Sequence, residues 1–214
     1  MRELHLKMSM SLDGFVAGPK GEIDWIFSSP DPEADKWEAK VISDTSLHLM
    51  GAKTYADMIS WWPYSDDQFA NPMNAIPKAV FTQHDAAHVK ATKPSQAVKD
   101  AAKAAEASGE KRREPDPKIL KAWEDAYIAS GPMKDELAKL KKEDGKPMLA
   151  HGGAGFARSL IATGMVDRFH LLVHPIVLGN GLPIFTKVGD RLKLKLVESI
   201  AFPAGTVAQV YVPG

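Results

Sequence analysis

The chain has 214 residues, 44% hydrophobic and 25% charged, enough for one sizeable domain with an ordinary core. Its 27 Lys and Arg balance 27 Asp and Glu, which excludes a global basic field for nucleic acid or an anionic membrane. Cysteine is absent, so disulfides, a thiolate nucleophile and a cysteine-ligated metal are excluded. No apolar run approaches the roughly 18 residues of a membrane span. The opening MRELHLKMSM lacks a signal-peptide core, and the expected compartment is the cytoplasm.

Leu4, Leu6, Met8 and Met10 alternate with His5, Lys7 and Ser9, the period of a strand. Gly14 and Gly18 bracket the bend that follows. Residues 21–32 read as loop, with Trp25 either covering a cleft or packing in the core. Residues 31–44 read as a helix with Asp31 at the N-cap and Pro32 at its first position. A short strand at 46–50 meets a second strand-to-helix turn at Gly51-Ala52-Lys53-Thr54-Tyr55, and Pro63 ends that helix. Residues 64–76 read as loop and 77–82 as strand.

An Ala-rich surface helix is expected over 95–108, stopped by Gly109, and Lys111, Arg112 and Arg113 read as a solvated basic loop. A short strand is expected within 123–128, then a helix opened by Gly131-Pro132, with Met133, Leu137 and Leu140 as its buried stripe. Residues 192–197 and 206–212 alternate as an antiparallel terminal hairpin.

The most informative stretch is KPMLAHGGAGFARSLIATGMVDRFHLLVHPIVLGNGLPIF, residues 146–185. It reads as strand, Gly-rich turn, helix, strand over 169–178, and a second glycine turn. Glycines in the first turn let a backbone bend sharply and a ligand approach closely. The following helix start favours an anion, a pyrophosphate being the obvious candidate. The pattern is not GxGxxG, and no acidic residue follows at the Rossmann distance, so a ligand-free tight turn stays open. His170 and His174 share a strand face, but no third ligand accompanies them and no metal is expected.

These motifs resemble the dihydrofolate-reductase-like reductases, in the branch typified by the C-terminal reductase domain of bifunctional riboflavin biosynthesis proteins. Residues 10–17 are similar to Met-Ser-Leu-Asp-Gly-x-Ile-Ala, 51–55 to Gly-Arg-x-Thr-Tyr, and 175–185 to Pro-Val-Val-Leu-Gly-x-Gly-x-x-Leu-Phe. The chain departs at Ala52, which replaces an Arg, at His84, and at Arg168, which replaces an acid. Residues 86–121 are longer than the family's usual connection.

The resemblance implies an α/β fold: a dihydrofolate-reductase-like three-layer sandwich, its sheet mixed and mostly parallel, with a C-terminal antiparallel hairpin. It implies an NADPH-dependent reductase of a small heterocyclic substrate, similar to 5-amino-6-(5-phosphoribosylamino)uracil reductase. Dihydrofolate reduction and non-catalytic dinucleotide binding are the alternatives. By resemblance, Asp13 is the catalytic candidate. Cofactor would meet Ser11, Gly51, Lys53, Thr54, Thr82, Gln83, Gly152, Gly153, Ala154 and Gly155. A homodimer is expected. The zinc deaminase that accompanies this reductase is excluded, because its Pro-Cys-x-x-Cys motif needs cysteines.

Overall fold

A computed structural model describes residues 1–107, 112–186 and 191–214. Ser108 and Gly109 of the expected helix end, and Lys111 of the basic run, lie outside the described residues.

The chain runs β1 (Leu4–Ser11), α1 (Pro32–Ser43), β2 (Leu47–Gly51), α2 (Ala52–Ile59), α3 (Ala70–Ala75), β3 (Lys78–Phe81), α4 (Ala86–Ala91), α5 (Gln96–Ala107) and α6 (Pro117–Glu124). It continues with β4 (Tyr127–Ala129), α7 (Met133–Lys142), β5 (Met148–His151), α8 (Ala154–Ala162), β6 (Arg168–His174), β7 (Leu194–Ala201) and β8 (Val207–Pro213). The eight strands form one sheet in the order β4-β3-β2-β5-β1-β6-β8-β7. All neighbours from β4 to β6 are parallel, whereas β8 is antiparallel to both β6 and β7. This is the expected mixed, mostly parallel sheet with a terminal antiparallel hairpin.

Alternation along the strands divides the core. Leu4, Leu6, Met8 and Met10 join Leu47, Leu49, Met148 and Ala150 on one face, under Leu137 and Leu140 of α7 and Leu160 and Ile161 of α8. Met50, Val80 and Leu149 face the other way, under Ile42, Tyr55, Met73, Val89 and Trp123 of the remaining helices. Chain order explains the division. Connections from β1 to β4 move one way along the sheet, those through α7 and α8 move back, and crossovers of one hand then place the two sets on opposite faces.

Five sequence readings are corrected. The stretch 64–76 is not all loop: Asp67 accepts from the Phe69 amide and α3 follows, burying Met73. The long connection holds three helices rather than one, because Asp85 and Asp116 cap α4 and α6. Trp123 belongs to the last turn of α6, so the strand beyond it is only Tyr127–Ala129.

Arg112 and Arg113 are likewise docked rather than solvated. Arg112 donates to the Ser60 and Trp61 carbonyls and stacks over the rings of Trp61 and Tyr64, and Arg113 donates to the Pro63 carbonyl. The α5 helix buries no residue, as its thin Ala face predicts. The strand expected to reach 178 stops at His174, since Pro175 brings no amide to the ladder.

Candidate active site

The carboxyl ends of β1, β2, β3 and β5 lie along one edge of the sheet. β5 stands between β2 and β1, yet its chain leaves into α8 on one face, while β2 and β1 lead into α2 and α1 on the other. That reversal opens a crevice beyond the strand ends, the position where doubly wound sheets take ligands.

Two helix starts face this crevice. Gly51 is the N-cap of α2 and Gly153 the N-cap of α8, neither with a side-chain capping bond. By contrast, Asp31, Asp85 and Asp116 cap α1, α4 and α6 with their carboxylates. The first-turn amides of α2 and α8 therefore have no side chain competing for them, and their dipoles favour an anion.

The turns touch. The Thr54 hydroxyl donates to the Gly152 carbonyl over 3.1 Å. Gly153 has φ +88°, and a Cβ there would stand 2.7 Å from Thr54 Oγ1, so no other residue fits without displacing Thr54. A Cβ on Gly155 would meet nothing within 4 Å, leaving the mouth of the turn open to close approach. Ala154 is buried at the first position of α8.

Phe156, one step further on, joins the strand ends. Its Cβ lies 3.4 Å from the position of a Cβ on Gly51, and its ring stands 5.5 Å from that of Phe81 at the end of β3. Thr82 follows Phe81. Its amide donates to the Ala129 carbonyl and its Oγ1 accepts from the His84 amide, which leaves the hydroxyl proton free to donate. Gln83 and Lys53 are exposed on the rim.

The structure thus gathers Gly51, Thr54, Thr82, Gly152, Gly153, Ala154 and Gly155 at the crevice. Phe156, which links them, reads in the sequence only as one apolar position of a helix.

Ser11 and Asp13 stand on the other side of β5, at the end of β1. Ser11 is fully buried. Its hydroxyl donates to Asp13 Oδ1 over 2.6 Å and accepts from the Phe15 amide. The Asp13 carboxylate also accepts the amides of Leu178 and Gly179, at 3.1 and 2.7 Å. The Ser11 hydroxyl, with these amides, holds the Asp13 carboxyl below the usual range against a desolvation cost.

Asp13 therefore ties the 178–179 turn to β1. The same loops are stitched at Val16 and Ala17, where amide–carbonyl bonds join both residues to Leu182. Gly181 is required there: a Cβ would lie 2.4 Å from the Ala17 carbonyl oxygen.

A buried polar layer lies beneath α1, on the face opposite α8. His48 and His151 pack edge to face with ring centroids 4.5 Å apart, and His170 Nε2 is hydrogen-bonded to His5 Nδ1 over 3.1 Å. Lys7 in the same layer pairs with Glu38 of α1. Burial pushes His48 down to about 3, with the Lys78 charge acting in the same direction. His170 also falls to about 3, through burial and then His5. Burial likewise lowers His151 and His174. Sequence periodicity places His170 and His174 on one face. It does not reveal the other members, which come from three further strands. No group of three or more metal-ligating side chains occurs among the described residues.

A doubly wound sheet with glycine-capped helix starts meeting at its switch point defines a crevice suited to an anionic group, in a dihydrofolate-reductase-like domain. Comparison with known proteins gives the family: the chain belongs to the RibD C-terminal domain family, whose profile matches residues 2–208. It is 30% identical to the uncharacterised protein YyaP of Bacillus subtilis, over 98% of this chain and 94% of YyaP.

Its fold is similar to the crystal structure of a putative riboflavin biosynthesis protein from Shewanella sp. PV-4. The TM-score is 0.68 at 19% identity, covering 99% of both chains. It is also similar to a Thermotoga maritima diaminohydroxyphosphoribosylaminopyrimidine deaminase/5-amino-6-(5-phosphoribosylamino)uracil reductase, with a TM-score of 0.60 at 16% identity. That match covers 100% of this chain and 57% of the Thermotoga one. No described helix is long and apolar enough to cross a membrane.

Proposed function

We propose that the protein is an NADPH-dependent reductase of a small heterocycle, of the 5-amino-6-(5-phosphoribosylamino)uracil reductase type. The observation that carries this reading is the joined pair of glycine-capped helix starts, with Thr54 bonded to Gly152 and Gly153 in the left-handed region. A pyrophosphate fits this cradle. The amides of Gly153, Ala154 and Gly155 would hold it, together with those of α2 and the Lys53 ammonium. Thr82 and Gln83 would meet the adenosine end. Bound NADPH supplies hydride at its nicotinamide.

The chain's own part is positioning. The Ser11–Asp13 clamp holds the 178–179 turn across the end of β1, fixing the floor on which substrate rests. With its oxygens committed and its acidity raised, Asp13 orients groups as an anion, and the proton added to substrate comes from solvent or another donor.

Titration with NADPH and NADH, followed by quenching of the five tryptophans and by thermal stabilisation, tests the reading. Micromolar NADPH binding abolished by Gly153→Asp supports it. No binding of either nucleotide at millimolar concentration overturns it.

We also propose a homodimer through the hairpin. The edge strand β7 exposes Leu196 and Val197, at 48% and 45%, and its outer side pairs with no other strand among the described residues, an edge that a second copy would cover. Sedimentation as a monomer at micromolar concentration would refute this.

A further inference from the structure

Seven buried side-chain polar atoms have no hydrogen-bond partner among the described residues, and six are nitrogens of His48, His151, His170 and His174. The rings of His48 and His151 have each other, and His170 has His5. His48 and His174 each have both nitrogens unpartnered, but His48 lies fully buried within β2, whereas His174 is the last residue of β6, at the carboxyl rim. The seventh atom is the Thr206 hydroxyl, and Thr206 is 1% exposed.

These two residues adjoin. Val173 pairs with Val207 in the β6–β8 ladder, so one step outward sets His174 opposite Thr206. Pro175 lies beside Gly205, where a Cβ would stand 3.4 Å from Pro175 Cγ. On its other side His174 pairs in register with Ser11, the residue that anchors Asp13. The edge of one ring meets the other where Trp25 covers His174, with centroids 5.5 Å apart, and Trp25 Nε1 is held by the Glu22 carbonyl. Buried polar groups are ordinarily satisfied, and two adjacent orphans at the carboxyl rim, beside the proposed substrate floor, call for a ligand.

We propose that His174 and Thr206, roofed by Trp25, form the subsite that takes the polar edge of the substrate ring, a neutral planar heterocycle with lactam or amide groups. The proposal rests on the reductase reading and names its substrate class. A neutral imidazole offers one donor and one acceptor, and a hydroxyl offers both, which matches the alternating N–H and C=O of a lactam edge. Burial, with the Lys7 charge nearby, keeps His174 neutral, so the subsite favours an uncharged group over an anion. Trp25 supplies an apolar wall. Trp25 packs edge to face on His174, so ring entry displaces Trp25, and the bound ring replaces it as cover.

The test uses 5,6-diaminouracil as the probe, with binding read by tryptophan fluorescence and NADPH binding measured separately. Removing an orphaned polar group from a ligand-free site should not cost stability. Thr206→Val and His174→Leu are therefore expected to melt at or above the wild type, with NADPH binding unchanged, while probe affinity falls about tenfold or more. Thr206→Ser and His174→Gln, which keep hydrogen-bonding groups, should retain most of it.

Equal probe binding by the apolar variants overturns the proposal. So does a Thr206→Val melting point several degrees below wild type, which would make the hydroxyl structural. So does a wild type that binds NADPH but not the probe. If NADPH fails to bind while the probe binds through His174, the subsite stands and the reductase reading falls.

Discussion

The Thr54 hydroxyl donates to the Gly152 carbonyl across two turns that are 98 residues apart in the chain. It also fills the space that a side chain on Gly153 would need. The two residues are thus coupled, and a double-mutant cycle measures the coupling. Thr54→Ala loses one half-buried hydrogen bond, costing ~1 kcal/mol. Gly153→Ala forces a left-handed alanine against Oγ1, costing ~1–3 kcal/mol with at least about tenfold weaker NADPH binding. In the Thr54→Ala background the obstructing oxygen is gone, and Gly153→Ala should cost measurably less than in the wild type. Strict additivity in urea denaturation would show that the two turns do not constrain each other.

Asp13 makes a separate prediction, about the form of the pH–rate profile. Its carboxyl is held below the usual range by Ser11 and the Leu178 and Gly179 amides, so it stays ionised throughout neutral pH. Asp13→Asn keeps the shape but puts a donor where these amides donate, and the 178–179 turn should detach. Once a substrate is found, the variant should lose turnover by about a hundredfold with cofactor affinity nearly kept. The neutral part of the pH–rate profile should be unaltered in form. A limb between about pH 6 and 8 that vanishes in Asp13→Asn would instead make Asp13 the proton donor.

Much of this site is legible in the sequence because glycines mark it. Gly51, Gly152 and Gly153 announce where the backbone turns, and a turn is a local event. Asp31 with Pro32 announces α1 for the same reason. The limit appears at Phe156 and at the histidine layer. Phe156 matters because β2 and β3 end against it, and His48, His151, His5 and His170 matter because four strands bring them together. No local spacing encodes those meetings. The capping aspartates of α4 and α6 are, by contrast, local signals present at Asp85 and Asp116, the second followed by Pro117 as Asp31 is by Pro32.

The long connection between β3 and β4 separates into a part that matters to stability and a part that does not. Trp123 is fully buried. Its Nε1 donates to Asn74 over 2.8 Å, its carbonyl accepts the Tyr55 hydroxyl, and Lys78 Nζ stands 4.2 Å from its ring. Trp123→Ala should cost ~3–5 kcal/mol, through the cavity and the stranded polar groups. On α5, which buries nothing, Lys99→Ala and Lys103→Ala should stay within ~0.5 kcal/mol of the wild type. Chemical denaturation midpoints check both, and an α5 variant as damaging as Trp123→Ala would mean that the helix is docked.

The histidine layer beneath α1 should make the protein acid-labile. His48 and His170 are held near 3 in the folded state by burial, against 6.5 when exposed. Between those values the unfolded chain binds protons that the native chain refuses. Stability is therefore fully present above about pH 6.5 and is lost as pH falls toward 3, at ~1.4 kcal/mol per pH unit for each such group. Lys7 stands in the same layer, paired with Glu38, and its positive charge further opposes protonation of His151, His170 and His174. His48→Leu removes one titrating group while conserving much of the volume, so the loss of stability between about pH 6.5 and 5 should become shallower by that group's share. Urea midpoints for both proteins across this range decide the matter. Parallel pH profiles would mean that His48 takes up a proton in the native state as readily as in the unfolded one, and that the layer is open to water.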